Sequence, residues 1–332
     1  MHLPRRDFIK YGTVAVASAF KGTASTKYRI MEERIDFDVI IVGGSYAGLS
    51  AAMALGRSLR HVLIIDSGYP CNRQTPHSHN FISHDGEKPS VIAEKARSQV
   101  MAYPTVRFYD GLAVYGKRTD TGYEIGTQGG QTFGAKKLLF ATGIKDIMPD
   151  ITGFQECWGI SVIHCPYCHG YEYRGKKTAI MANGERAFHI ASLVHNLTDN
   201  VTILTRGKAD FNTDQIDRLE KHNIQIIETD VVKIAHEQGY VNQVVFRGGS
   251  NIHFDAVYAA LPFEQHSDIP AKLGCELTDL GHIKVDMSQK TSIEGIFACG
   301  DSSSMMRSVA YAVATGNIAG AMINHQLTEE MF

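Results

Sequence analysis

Two cysteines separated by two residues, Cys165 and Cys168, lie in the stretch HCPYCHGYE from His164 to Glu172. This spacing supports three chemistries. The pair can close a redox disulfide, because two such side chains can approach to bonding distance. It can supply half of a zinc site. With His169 following directly, it also spells the attachment pattern of c-type haem. Structural zinc usually takes four protein ligands, and the other cysteines (Cys71, Cys157, Cys275 and Cys299) are isolated, so no second pair completes such a site. Haem requires a further axial ligand and an apolar pocket, which the surrounding pattern does not offer. The histidines His77, His79 and His84 cluster in one loop, where solvated or hydrogen-bonded side chains are the plainer reading; no metal site is assigned.

A redox disulfide needs a group that moves protons on and off sulfur. His164 and His169 flank the pair. An imidazole titrates close to neutral pH, so His169 is expected to deprotonate a thiol as readily as it protonates a thiolate. At a helix N-terminus the first sulfur would also be favoured as thiolate.

The elements that must position this chemistry begin at Asp36. In DFDVIIVGGSYAGLSAAMALGRS the run Val39 to Val42 reads as a buried parallel strand, followed by a glycine turn and an Ala/Leu-rich helix. HVLIIDSG, His61 to Gly68, reads as the next strand, ending in Asp66. This is the dinucleotide-binding arrangement: turn amides and helix start for a pyrophosphate, the acidic residue for ribose hydroxyls. The turn runs Gly43, Gly44, Ser45, Tyr46, Ala47, Gly48, with Ser45 in the middle glycine position. KKLLFATG, ending in Thr142 and Gly143, reads as a further strand, and TSIEGIFACGD, ending in Gly300 and Asp301, as another. Met306 to Ile323 reads as a helix. Lys176 to Gly207 repeats the strand, turn, helix, strand rhythm with a degenerate turn, MANGERAF, and Asn223 to Pro262 reads as the strands that complete this second unit.

A length of 332 residues suggests two domains, and 44% hydrophobic residues suffice for two cores. A net charge of −2 without a long basic run argues against nucleic acid as partner, and no apolar run has the length of a membrane span. RRDFIK, Arg5 to Lys10, precedes a mildly apolar segment and fits a twin-arginine export pattern, while Met31 opens a natural cytoplasmic start. The expected location is therefore cytoplasmic, or exported by that route, with residues 1–35 outside the fold.

Taken in order, the glycine turn, FATG, the cysteine pair, the second dinucleotide-type unit and FACGD resemble the low-molecular-weight thioredoxin reductases, flavoproteins of the pyridine nucleotide-disulfide oxidoreductase group. The wording CPYCHGYE is similar to the branch with fungal dithiol oxidases, since the usual Asp after the second cysteine is His169 here. The resemblance implies an α/β fold of two Rossmann-like, three-layer domains, the second inserted into the first. Residues 36–150 and 265–332 would bind FAD, and 151–264 would form an inserted NAD(P)H-binding-like domain that carries the cysteines. It implies that Gly43, Gly44, Ser45 and Gly48 approach the FAD pyrophosphate and that Asp66 takes the adenosine ribose. Asn72, Thr142, Gly143, Gly300 and Asp301 would line the rest of the flavin site, with Arg307, Ser308 and Val309 at the pyrimidine edge. Cys168 would face the flavin and Cys165 the substrate, with His164 and His169 as proton carriers. The substrate would be a thioredoxin-like protein or a small dithiol, and the assembly a homodimer; the alternatives are an oxygen-using dithiol oxidase without NADPH binding or a non-catalytic flavin redox sensor. The degenerate second turn, with only Arg186, Arg206 and Lys208 as phosphate partners, speaks against tight NADPH binding.

Overall fold

The structure, a computed structural model, describes residues 36–332. The expected export segment falls on residues 1–35 and lies outside the described residues. Strand β1 (Asp36–Val42) leads through the glycine turn into α1 (Tyr46–Arg57), then β2 (Val62–Asp66), α2 (Pro89–Met101) and β3 (Val106–Asp110). A meander of β4 (Ala113–Thr119), β5 (Gly122–Thr127) and β6 (Thr132–Phe140) follows. The strands pair in the order β3-β2-β1-β6-β5-β4. β1 runs parallel to β2 and β6, while β5 is antiparallel to β6.

Alternation along β1 builds two cores. Val39 and Ile41 pack under α1, whereas Ile40 and Val42 face the layer that includes Ile125, Leu138 and Phe140. All four β1 residues are buried, and burying each such side chain stabilises the fold by roughly 1.5–3 kcal/mol.

After the short β7 (Ile144–Asp146) the chain leaves this sheet. The helical turn α3 (Phe154–Cys157), β8 (Val162–Ile163) and the single turn α4 (Pro166–His169) come next. A second doubly wound unit consists of β9 (Thr178–Met181), α5 (Gly184–His195), β10 (Val201–Leu204), α6 (Thr213–Lys221) and β11 (Gln225–Ile227). An antiparallel trio follows, β12 (Val231–Glu237), β13 (Tyr240–Phe246) and β14 (Asn251–His253), before β15 (Ala256–Ala259). The five-stranded sheet has the order β11-β10-β9-β15-β8 and is parallel throughout. The chain returns through β16 (Phe263–Gln265), which pairs antiparallel with β7, so both crossings between the sheets lie side by side. Beyond α7 (Ile269–Lys272), β17 (Ile296–Ala298) docks on the end of β6, and α8 (Val309–Glu329) closes the first half.

The helix expected over Met306–Ile323 begins three residues later, because Ser308 takes extended backbone and its side chain accepts a hydrogen bond from Tyr311 N at 3.1 Å. Arg307 is therefore in the loop before the helix. α8 lies close on α1 through small residues: a Cβ on Gly316 would stand 2.1 Å from Ala47 O. Among the described residues, no helix is long and apolar enough to cross a membrane.

The close approach of α8 and α1 has a measurable consequence. Gly316→Ala should lower unfolding stability by about 1–3 kcal/mol, the usual cost of overpacking. A urea midpoint equal to the parent's would contradict this packing.

Candidate active site

The glycine turn is shaped by two backbone approaches. Gly43 sits at φ +106°, and a Cβ there would lie 2.2 Å from Ala141 O. Gly48 packs its bare Cα onto Gly43 O, which a Cβ would meet at 1.9 Å. Gly43, Gly44 and Ser45 line a cavity of about 610 Å³, but Gly48 does not; its place is behind the turn, letting α1 begin close to β1. The size is that of a cofactor pocket. Asp66, at the end of β2, accepts a hydrogen bond from Gly44 N at 2.9 Å and also lines the cavity. Its carboxylate therefore braces the turn and retains lone pairs for a diol.

The opposite wall comes from the strand ends and the C-terminal segment. Thr142, Gly143, Gly300, Asp301, Arg307, Ser308 and Val309 all line the cavity, as does Asn72, whose amide donates to the Tyr46 hydroxyl at 3.4 Å. Arg307 makes a bidentate pair with Asp146 of β7, at 2.7 and 2.9 Å, and its Nε lies 3.7 Å from Asp301 Oδ2. Burial pushes Asp301 up to about 6, against the pull of Arg307. Asp146 was not among the residues singled out from the sequence. Its only local signal is an acidic residue in the short segment IKDI just after FATG.

The cysteine segment meets this wall. Cys168 lines the cavity with its Sγ 3.9 Å from Arg307 O, while Cys165 is not part of the lining. Cys168 donates a hydrogen bond to Cys165 across 3.0 Å. That bond is the main cause that brings the Cys165 thiol down to about 7; the amides of Cys168 and Tyr167 and the charge of Arg307 add to it, and burial opposes. Cys168 moves strongly upward for the complementary reason, its proton being held by Cys165, with burial second. The helix expected to begin at the pair is one turn only, so local donors rather than a long helix dipole govern the thiolate.

His164 and His169 also line the cavity. Burial, with Arg307 and His169 adding, pushes His164 down to about 3, and burial together with His79 pushes His169 down to about 4. The expectation of an imidazole titrating near neutrality is thereby corrected: desolvation keeps both rings uncharged at pH 7. Trp158, the single tryptophan, forms part of the same wall, stacked on Phe154 and 6.0 Å from His164.

Several buried polar atoms of residues around the cavity have no hydrogen-bond partner: Thr142 Oγ1, His164 Nε2, both nitrogens of His169, and Arg307 Nε, whose ion pair with Asp301 is longer than a hydrogen bond. Buried polar groups are ordinarily paired. Together with the bare backbone of the turn and the braced Asp66, they fit a large polar cofactor with a diphosphate and a heteroaromatic ring. Among the described residues, no group of His, Cys, Asp or Glu side chains is arranged to hold a metal.

The second turn is built differently, although Ala182, Asn183, Thr205 and Arg206 line a cavity of about 560 Å³ beside it. Asn183 caps α5 with its own side chain, its Oδ1 accepting from Gly184 N and from Asp210 N, both at 2.9 Å, while its amide donates to Lys208 O at 2.9 Å. The helix-start donor is thus used internally, and the loop carrying Lys208 and Asp210 is drawn across the turn. Glu185 in the first turn of α5 adds a further carboxylate. One helix-start amide is therefore already paired, and two carboxylates, Glu185 and Asp210, stand near Arg206 at this corner.

The family described as pyridine nucleotide-disulphide oxidoreductase matches residues 37–316. The thioredoxin reductase tcpT of Claviceps purpurea (strain 20.1) is 32% identical over 305 residues, spanning 89% of this chain and 95% of that one. Among solved structures, an oxidoreductase from Agrobacterium tumefaciens is 36% identical with a TM-score of 0.83, covering 89% of this chain and 99% of that one. The putative thioredoxin reductase TrxB from Bacillus anthracis is 31% identical with a TM-score of 0.85, covering 89% and 100%.

Two outcomes test this geometry. Alkylation of Cys165 should accelerate with pH through a midpoint near 7, and Cys168→Ala should move that midpoint upward by removing the thiol donor; a midpoint unmoved by the substitution would contradict the assignment. Asp146→Ala removes the bidentate partner of Arg307 and leaves it only the longer pair with Asp301; this should cost about 3 kcal/mol of stability and reduce the flavin retained on gel filtration, and an unchanged melt would show the pair to be dispensable.

Proposed function

Because the chain belongs to the pyridine nucleotide-disulphide oxidoreductases and is a flavin-dependent oxidoreductase acting on sulfur groups, we propose that it interconverts a dithiol and a disulfide through Cys165 and Cys168. FAD is the family's cofactor, and we assign it to the large cavity. There the glycine turn and Asp66 would hold its diphosphate and adenosine ribose, and Asp301, Arg307 and the start of α8 the remainder. When bound, FAD supplies a two-electron acceptor and donor.

The chain's own part is thiol exchange. A substrate thiolate attacks Cys165 in the closed disulfide: the bond between Cys165 and Cys168 breaks, a mixed disulfide forms, and Cys168 takes up a proton. The second substrate thiolate then attacks the substrate sulfur of that mixed disulfide, closing the substrate disulfide and releasing Cys165. A leaving thiol of low pKa departs faster, and Cys165 is the one held near 7. The neutral His169 offers an unprotonated nitrogen beside the pair; it is suited to receive a hydrogen bond or a transient proton rather than to carry charge.

The direction we favour is thiol oxidation, with molecular oxygen as final acceptor. The observation that carries it is the self-capped second turn: Asn183, Glu185 and Asp210 occupy the corner where a nicotinamide cofactor would need free amides. The substrate is then a small dithiol or a thioredoxin-like protein. Tyr167 and Tyr171, 69% and 66% exposed, supply aromatic surface next to the cysteines. A homodimeric assembly belongs to the same proposal.

The deciding measurement is an anaerobic titration of the flavin-loaded protein, followed by flavin absorbance. A dithiol should bleach the flavin and NADPH should not. Prompt stoichiometric bleaching by NADPH would sink the oxidase reading, and dithiol turnover undiminished in Cys168→Ser would sink the cysteine assignment itself.

A further inference from the structure

Between β2 and α2 the chain forms a braced histidine-rich loop. Ser78 and Glu87 pair as an isolated bridge, with Ser78 N donating to Glu87 O and Gly86 N to Ser78 O, both at 2.8 Å. His77 Nδ1 donates to Gly86 O at 2.9 Å, His84 Nδ1 lies 2.9 Å from Glu87 Oε2, and Asn80 N donates to Asp85 Oδ1 at 2.8 Å. His77 and His84 are thus used inside the loop. His79 is not: its Nδ1 lies 3.6 Å from Asp85 Oδ2, and its Nε2 lies 3.7 Å from Glu172 Oε1. Glu172 stands in the 3-10 turn Tyr171–Tyr173, three residues beyond His169. The other titratable groups facing His79 are the His77 ring, 6.4 Å away, and His169.

We propose that His79 is a positioning residue that clasps the redox-cysteine segment against the large cavity by bridging Asp85 of its own loop to Glu172. The inference rests on reading Cys165 and Cys168 as the redox pair. The two sheets are linked covalently only through the crossings that contain β7 and β16. Non-covalent contacts between the halves therefore decide how firmly the cysteines are held at the cavity. One is the approach of Cys168 to Arg307 O; the clasp is another, and it joins residues 93 positions apart. A protonated imidazole can donate toward both carboxylates, whereas the neutral ring has one N–H and loses the Coulomb attraction. A cation at position 79 thus strengthens the bridge. His169 is held uncharged chiefly by burial, with its neighbour His79 adding to the effect.

The test uses the dithiothreitol-reduced, flavin-loaded protein and the rate at which N-ethylmaleimide modifies Cys165, followed by peptide mass spectrometry at fixed pH. His79→Gln and Glu172→Gln should each raise that rate about two- to fivefold, the range that one partly exposed ion pair supports. The double variant should be no faster than either single one, because both remove the same bridge. His79→Lys, which keeps a cation, should stay close to the parent. Single-variant rates equal to the parent's, rates that multiply in the double variant, or a lysine variant as fast as the glutamine variant would each overturn the clasp. Glu172→Gln lies at a half-exposed position and carries the test if His79→Gln does not fold. Dithiol turnover by the parent is measured in parallel: its absence refutes the redox reading, whereas turnover with additive variants refutes the clasp alone.

Discussion

The buried pair between Arg307 and Asp146 is the constraint on which the site depends. Asp146 closes β7, one of the two crossings between the sheets, and Arg307 ends the loop that opens α8. Two parallel hydrogen bonds between a planar guanidinium and a carboxylate fix orientation as well as distance. They also hold the Arg307 backbone, whose carbonyl lies 3.9 Å from Cys168 Sγ. A buried pair of this sort contributes modestly to net stability, yet removing one partner is costly because a charge is left unpaired in a low-dielectric site. Asp301 sits in the same field and is held between burial and the arginine. Crossing strand, cysteine pair and cavity carboxylate are therefore set by one interaction.

That field divides the labour between the two sulfurs. Desolvation alone would raise both thiols. The Cys168 proton, shared toward Cys165, and the amides behind it lower one and raise the other. The flanking histidines do not change this balance by charge, since burial keeps them neutral. Both residues line the cavity, and their unpartnered nitrogens are buried. The polarity of the site is thus arranged for a ligand more than for the empty protein.

The elements that were legible in the sequence are those whose signal is local. The buried strand at Val39–Val42, the acidic end of β2 at Asp66 and the small-residue turn between Gly43 and Gly48 are written in contiguous residues, and the structure forms them there. Twelve of the thirteen residues expected around the flavin line one cavity, with Gly48 behind it. What was not legible depends on distance along the chain. Asp146 meets Arg307 across 161 positions, and His79 meets Glu172 across 93. The neutral state of His169 depends on burial, which a flanking sequence does not specify. The start of α8 was misplaced by three residues because Ser308 competes for the helix as an N-cap, a signal present in the sequence but weaker than the apolar run around it.

The two glycine turns satisfy their helix starts in different ways. In the first, the donor Gly44 N is braced by Asp66, a residue on the next strand, so the turn itself stays bare. In the second, Gly184 N is taken by Asn183, a residue of the turn, and the same side chain gathers Lys208 and Asp210 over it. Both arrangements satisfy the backbone. Both turns border a cavity, but of the two cavities only the first is lined, among the described residues, by residues with buried side-chain atoms that lack a hydrogen-bond partner. Glu185 and Asp210 add two carboxylates near the second helix start, where negative charge disfavours an anion.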